Sequence, residues 1–143
     1  MTFARIHAGD NNVITFIVSY IINEQKPTFL IFNNSCWTAQ QKVKLTIDLS
    51  NAGFRSSGTA VLPTDHIYHH LLFLVDFECP NATEVIYDAI SRKLFASPFR
   101  WLMLTSSINK EVLSLVLNSP ILADSDVVLS EKLGEVYKLT ESK

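Results

Sequence analysis

Two cysteines, Cys36 and Cys79, and one aspartate, Asp76, are the residues here best placed to do covalent chemistry. Cys36 precedes a segment that reads as a helix, and a helix N-terminus lowers the pKa of a thiol. A cysteine phosphatase also needs an arginine about six residues on, to clasp phosphate through two parallel bonds. Lys42 stands at that position and cannot make the fork. Asp76 ends a strongly apolar run, where a receiver-type domain carries its phosphate-accepting aspartate. Such a site holds Mg²⁺ on further carboxylates. Asn33 and Asn34 occupy the corresponding loop, and Thr105, Ser106 and Ser107 stand where a lysine is wanted. Asp76 therefore reads as a carboxylate that anchors its own loop.

The remaining motifs are weaker. His66 and His70 would suit zinc at helical i, i+4 spacing, with His69 beside them. Apart from the adjacent Asp65 they lack a further ligand at matching spacing, and they read as exposed loop histidines. The four glycines form neither a P-loop nor a dinucleotide fingerprint. The expectation is a chain with no catalytic residue, no metal site and no cofactor. Two glycosylation sequons begin at Asn33 and Asn81. They permit an extracellular life without arguing for one.

These residues must be positioned by what reads as one α/β domain covering residues 1–143. Apolar residues make up 48% of the chain and charged residues only 18%, against a usual value of about 25%. A surface covered by a neighbouring domain, a partner or sugar would explain the shortfall. An ordinary surface rich in Ser, Thr and Asn explains it equally well. The net charge of −2, with no basic stripe, argues against nucleic-acid binding. No apolar stretch is long enough to span a bilayer, and the first ten residues contain no signal-peptide core.

Along the chain, apolar runs alternate with amphipathic ones, as in a βα succession. Residues 11–24 read as a helix, stopped by Pro27, and residues 28–32 as a buried strand. Residues 38–52 are contested, because Val43, Leu45, Ile47 and Leu49 alternate as a strand would. Thr38 and Gln41 fit a capping box, however, and Gly53 fits a left-handed helix end, so helix is the reading. Ala39, Val43 and Ile47 beside Leu45 and Leu49 would suit a helix sandwiched between neighbours. Residues 54–62 read as an edge strand weakened by Ser56, Ser57 and Gly58. Residues 71–77 read as a central parallel strand, apolar on both faces. A helix through Leu94, capped by Asn81 with Glu84 three residues on, is followed by a strand over 100–105. A short helix over 108–117 and two terminal strands, 126–130 and 135–140, complete the chain. About four helices, four parallel strands and a terminal hairpin make a doubly wound open sheet. If the strands before Cys36 and Cys79 are neighbours, both cysteines lie at one edge, within reach of a disulfide. Two reduced thiols fit the sequence as well.

The stretch from Asp76 to Thr83, with its continuation from Arg92 to Leu104, resembles the amino-terminal region of insect chemosensory ionotropic receptors of the seventy-five group. The segments from Ile121 to Leu129 and from Glu135 to Leu139 are similar too. The stretch from Thr28 to Gly53 is also consistent with it. The resemblance implies a single lobe like half of a periplasmic-binding-protein-like domain, and it favours a Cys36–Cys79 bridge. It implies a piece of an ionotropic-glutamate-receptor-related, ligand-gated cation channel used in olfaction. That channel would sit in the plasma membrane, with this lobe on the extracellular side and co-receptor subunits as partners. The odorant would be held by a two-lobed domain, and the pore formed by three membrane spans, all outside this chain.

Overall fold

The computed structural model describes residues 2–7, 13–25, 29–34, 36–59, 71–80, 82–92, 99–106, 126–133 and 136–141. In chain order its elements are β1 (Thr2–His7), α1 (Val13–Tyr20), which continues into one π turn (Ile21–Gln25), β2 (Phe29–Asn33) and α2 (Ala39–Asn51). They are followed by β3 (Arg55–Thr59), β4 (Leu71–Asp76), α3 (Ala82–Ser91), β5 (Arg100–Thr105), β6 (Asp126–Leu133) and β7 (Val136–Glu141). The strands form one sheet in the order β1-β7-β6-β5-β4-β2-β3. Neighbours from β3 to β6 run parallel, and β7 and β1 complete the sheet antiparallel. The fold is an open, mainly parallel, doubly wound α/β sheet, as the sequence predicts.

The pleat sorts the core into two layers. Leu30 and Phe32 of β2, Leu72 and Leu74 of β4, Leu102 and Leu104 of β5, and Val128 of β6 face α1 and α2. The alternate residues Ile31, Phe73, Trp101, Met103, Val127 and Leu129 face α3. Cross-strand register aligns Ile31, Phe73, Trp101 and Val127 in a single row. The Phe73 and Trp101 rings in that row sit 4.6 Å apart. Strands buried on both faces need apolar residues at every position, and this is why β4 and β5 read so clearly.

α2 is a helix because its ends are specified chemically. The Thr38 hydroxyl accepts from Gln41 N–H at 3.1 Å, and Thr38 N–H donates to Gln41 Oε1 at 3.0 Å. At the other end Gly53 has φ of 90°, Gly53 N–H donates to Ser50 O, and Phe54 N–H donates to Leu49 O. That is a Schellman closure, which only a residue tolerant of positive φ supports cheaply.

The structure corrects three expectations. α2 is not sandwiched: Leu45 and Leu49 are buried, but Val43 is 56% exposed and Ile47 51%. β6 lies parallel to β5, so the parallel part has five strands rather than four. β1 forms an edge strand that the sequence reading leaves out. The expected helix over 108–117, the three loop histidines and Asn81 lie outside the described residues.

Candidate functional site

In an open α/β sheet, ligands settle at the carboxyl ends of the strands, where the strand order reverses. Here β2 lies between β3, which follows it in the chain, and β4, so the reversal falls between β2 and β4. Cys36 follows β2 and Cys79 follows β4. They form a disulfide with their Cα atoms 5.5 Å apart, across 43 positions of sequence. The bond therefore lies over the switch point. Cys36 is committed to it and is not available as a thiolate nucleophile.

The two loops are also tied locally. Cys36 N–H donates to Asn33 O at 3.2 Å, and Cys79 N–H to Asp76 O at 3.0 Å. Lys42 donates to Asn34 Oδ1 at 3.2 Å rather than turning to a phosphate cradle. Asn33, the first of the two sequon asparagines, is 8% exposed at the end of β2.

Beside the bridge lies a cavity of about 200 Å³. Val13, Trp37, Leu104 and Tyr137 supply its apolar walls, and Gln41, Asp76, Glu78, Thr105, Ser106 and Lys132 its polar ones. The pleat explains the meeting. Leu72, Leu74 and Asp76 lie on one face of β4, the register sets Asp76 beside Leu104 of β5 and Leu104 beside Ser130 of β6, and one further two-residue step along each of β5 and β6 reaches Ser106 and Lys132. β7 runs antiparallel, so its beginning, and with it Tyr137, lies at the carboxyl edge of the parallel strands.

Asp76 and Glu78 are two residues apart and differently employed. Asp76 Oδ1 accepts from Glu78 N–H at 2.9 Å, a turn that anchors the loop as the sequence suggests. Partial burial raises its pKa above the usual 3.8, that backbone bond opposes the rise, and the nearby Glu78 charge adds to it. Glu78 reaches across to β5, where Ser106 Oγ and Ser106 N–H donate to its Oε1 at 2.5 and 2.9 Å. Those two bonds lower its pKa below the usual 4.5.

Tyr137 is the site residue that sequence reading misses. It is 2% exposed, and its ring stacks on Phe16 of α1 with centroids 3.9 Å apart and planes 13° from parallel. Its hydroxyl is buried and has no hydrogen-bond partner among the described residues. Burial raises its pKa above 10.0, and the Asp76 charge raises it further, so the phenol stays protonated beside that carboxylate. A lone tyrosine in a short terminal strand gives no local sign of this. The only usable signal is that β7 is antiparallel and must start where the parallel strands end.

Among the described residues, no three His, Cys, Asp or Glu side chains gather as a metal site requires. Nor, among them, is any helix long and apolar enough to cross a membrane. No protein-family model, curated protein or solved structure matches the chain.

Proposed function

We propose that this lobe is a non-catalytic outer domain of a chemosensory, ligand-gated channel, of the ionotropic-receptor kind its sequence resembles. Its work there is subunit assembly and support of the ligand-binding lobes, on the extracellular side of the membrane. The observation that carries this reading is the Cys36–Cys79 disulfide across the switch point. Stable disulfides belong to oxidising compartments. The bridge takes up the position from which a doubly wound sheet would otherwise present a reactive thiol.

Two further features support it. The carboxylates of Asp76 and Glu78 repel the phosphate groups that nucleotide-binding sheets hold at this edge. The outward stripe of Ala39, Val43 and Ile47 on α2 is an apolar surface suited to a co-receptor subunit. The rival reading, a stand-alone binding module of the cytosol, requires both cysteines to be reduced.

The deciding experiment is to sequence the source transcript beyond the codon for Lys143. A frame that continues into a two-lobed domain and three apolar spans upholds the channel. A stop codon in an intact message overturns it and leaves the soluble module.

A further inference from the structure

The doubly wound order sends the two helices that flank the switch point to opposite faces of the sheet. α2 follows β2 into the layer of Leu45 and Leu49, and α3 follows β4 into the layer of Ala82 and Ile86. Divergence of that kind opens a crevice between the two loops at the carboxyl edge, the usual seat of a ligand. Here the Cys36–Cys79 bond crosses the crevice. Cys36 packs against the first layer and Cys79 against the second, so the bond clamps the end of the sheet from face to face.

The strands beneath have support of their own. β2 lies along β4 from Phe29 opposite Leu71 to Phe32 opposite Leu74, with Leu30, Phe32, Leu72 and Leu74 buried. The loops are held more lightly: Cys36 N–H donates to Asn33 O and Cys79 N–H to Asp76 O, each within its own loop. Breaking the bridge therefore frees the loops before it frees the strands. The bridge is also within reach of a reagent. Both cysteines are half-buried rather than enclosed, and Cys36 shares its cavity with the exposed residues Glu78, Ser106 and Lys132. Disulfides that solvent reaches are the ones that exchange. Trp37, next in the chain, is 6% exposed and lines the same cavity.

We propose that the Cys36–Cys79 bridge is a thiol-operated gate: oxidised, it shuts the crevice between the β2 and β4 loops, and reduced by a small thiol it lets them part while the sheet stays folded. A reagent thiolate attacks Cys36 Sγ from the cavity, the S–S bond breaks, and its electron pair leaves on Cys79 Sγ, which takes a proton. A second reagent thiolate attacks the reagent sulfur of the mixed disulfide. Cys36 Sγ leaves with that electron pair and is protonated, so two reagent thiols become one reagent disulfide as the bridge becomes two thiols. Asp76 and Glu78 set two negative charges in the cavity against one positive charge on Lys132, which disfavours anionic reagents and favours cationic ones. The gate needs only the folded lobe, and the channel reading is decided by the transcript, so either fails without the other.

The test is reduction of the oxidised chain without denaturant, by cationic 2-aminoethanethiol and by anionic mercaptoacetate at equal thiolate concentration, with free thiols counted over time. The bridge is expected to open within about a hundredfold of its rate in the urea-unfolded chain. The cationic thiol should act about fivefold faster at low ionic strength, and the difference should shrink at high salt. Trp101 is buried in the other layer, so a shift of tryptophan emission to longer wavelength on reduction reports Trp37. The amide resonances of Asn34, Trp37 and Glu78 should move with it, while those of β4 and β5 keep their positions. Cys36→Ser with Cys79→Ser should give the reduced chain's emission and no response to either thiol. Slower opening, or a rate for mercaptoacetate equal to or above that of the cationic thiol, overturns the proposal. So does a reduced chain whose emission and loop resonances match the oxidised one, and so does loss of resonance dispersion throughout the sheet, which would make the bridge a staple of the whole fold.

Discussion

On the β2 side of the cavity the loop and helix ends are tied to one another, whereas on the β7 side two buried hydroxyls, those of Tyr137 and Ser130, have no hydrogen-bond partner among the described residues. The first side is closed by the Cys36–Cys79 bond, and the helix that follows is capped reciprocally by Thr38 and Gln41. The second side buries a phenol whose hydroxyl has no hydrogen-bond partner among the described residues, in the same region as a carboxylate of raised pKa, and stacks the phenol ring on Phe16. One wall is optimised for the folded state and the other departs from that optimum. Departures of this kind gather where a protein binds something, because stability there is given up for function.

Removing the bridge is the strongest way to break the contrast. Cys36→Ser with Cys79→Ser should lower unfolding stability by roughly 4 kcal/mol, the loop-closure value for a separation of this length. Urea unfolding of the oxidised chain and the double variant measures the difference. A loss below about 1 kcal/mol would mean that the bridge does not hold the β2 wall. Thr38→Ala tests the same wall more gently. Losing the cap should cost about 1 kcal/mol with no change in m-value.

The other wall should respond in the opposite direction. Ser130 lies on the same sheet face, one pleat step below Lys132, fully buried and with its hydroxyl unpartnered among the described residues. Ser130→Ala removes an unsatisfied group and leaves no orphan behind. It is expected to raise stability by about 0.5–1 kcal/mol in the same denaturation experiment.

The smallest effect concerns pH. The folded-state pKa of Asp76 is raised, so ionising it works against folding. The penalty is absent below its usual value of 3.8, grows as pH rises through the folded pKa, and is complete above it. Glu78 is lowered, so its contribution favours folding above its usual 4.5 and disappears as pH falls through the folded pKa. Asp76→Asn should therefore be more stable than the unaltered chain at pH 7 and no more stable in strong acid. Thermal unfolding at several pH values reads this directly, and a gain independent of pH would contradict it.

The legible parts of the molecule were those whose local chemistry had a single outcome. The parallel strands β2, β4 and β5 announce themselves because both faces are buried and every position is apolar. α2 is legible against its own strand-like alternation, since Thr38, Gln41 and Gly53 specify its ends. The cysteine pair was legible only in part, since adjacency of two strands put the thiols within reach of each other while two reduced thiols fitted the sequence as well. What remained illegible depended on pairing between distant segments. β1 finds its place only against β7, and Tyr137 becomes a site residue only because β7 runs backwards. The exposure of Val43 and Ile47 was equally hidden, because a helix with two apolar stripes looks the same whether or not a neighbour covers the second.

The placement of β1 has a consequence for the timing of assembly. Its neighbour in the sheet is β7, with Thr2 opposite Glu141 and His7 opposite Val136. Of the described strands, β1 leaves the ribosome first and β7 last. At roughly 5–20 residues per second, β1 waits on the order of ten seconds for β7. Throughout that interval the outer edge of the nascent sheet has no strand to shield it. Pairing β1 with β7 thus closes this sheet only after β2 to β6 have been made. Pulse-labelled hydrogen exchange on refolding chains should find the amides of β1 and β7 protected together, and later than those of β4 and β5.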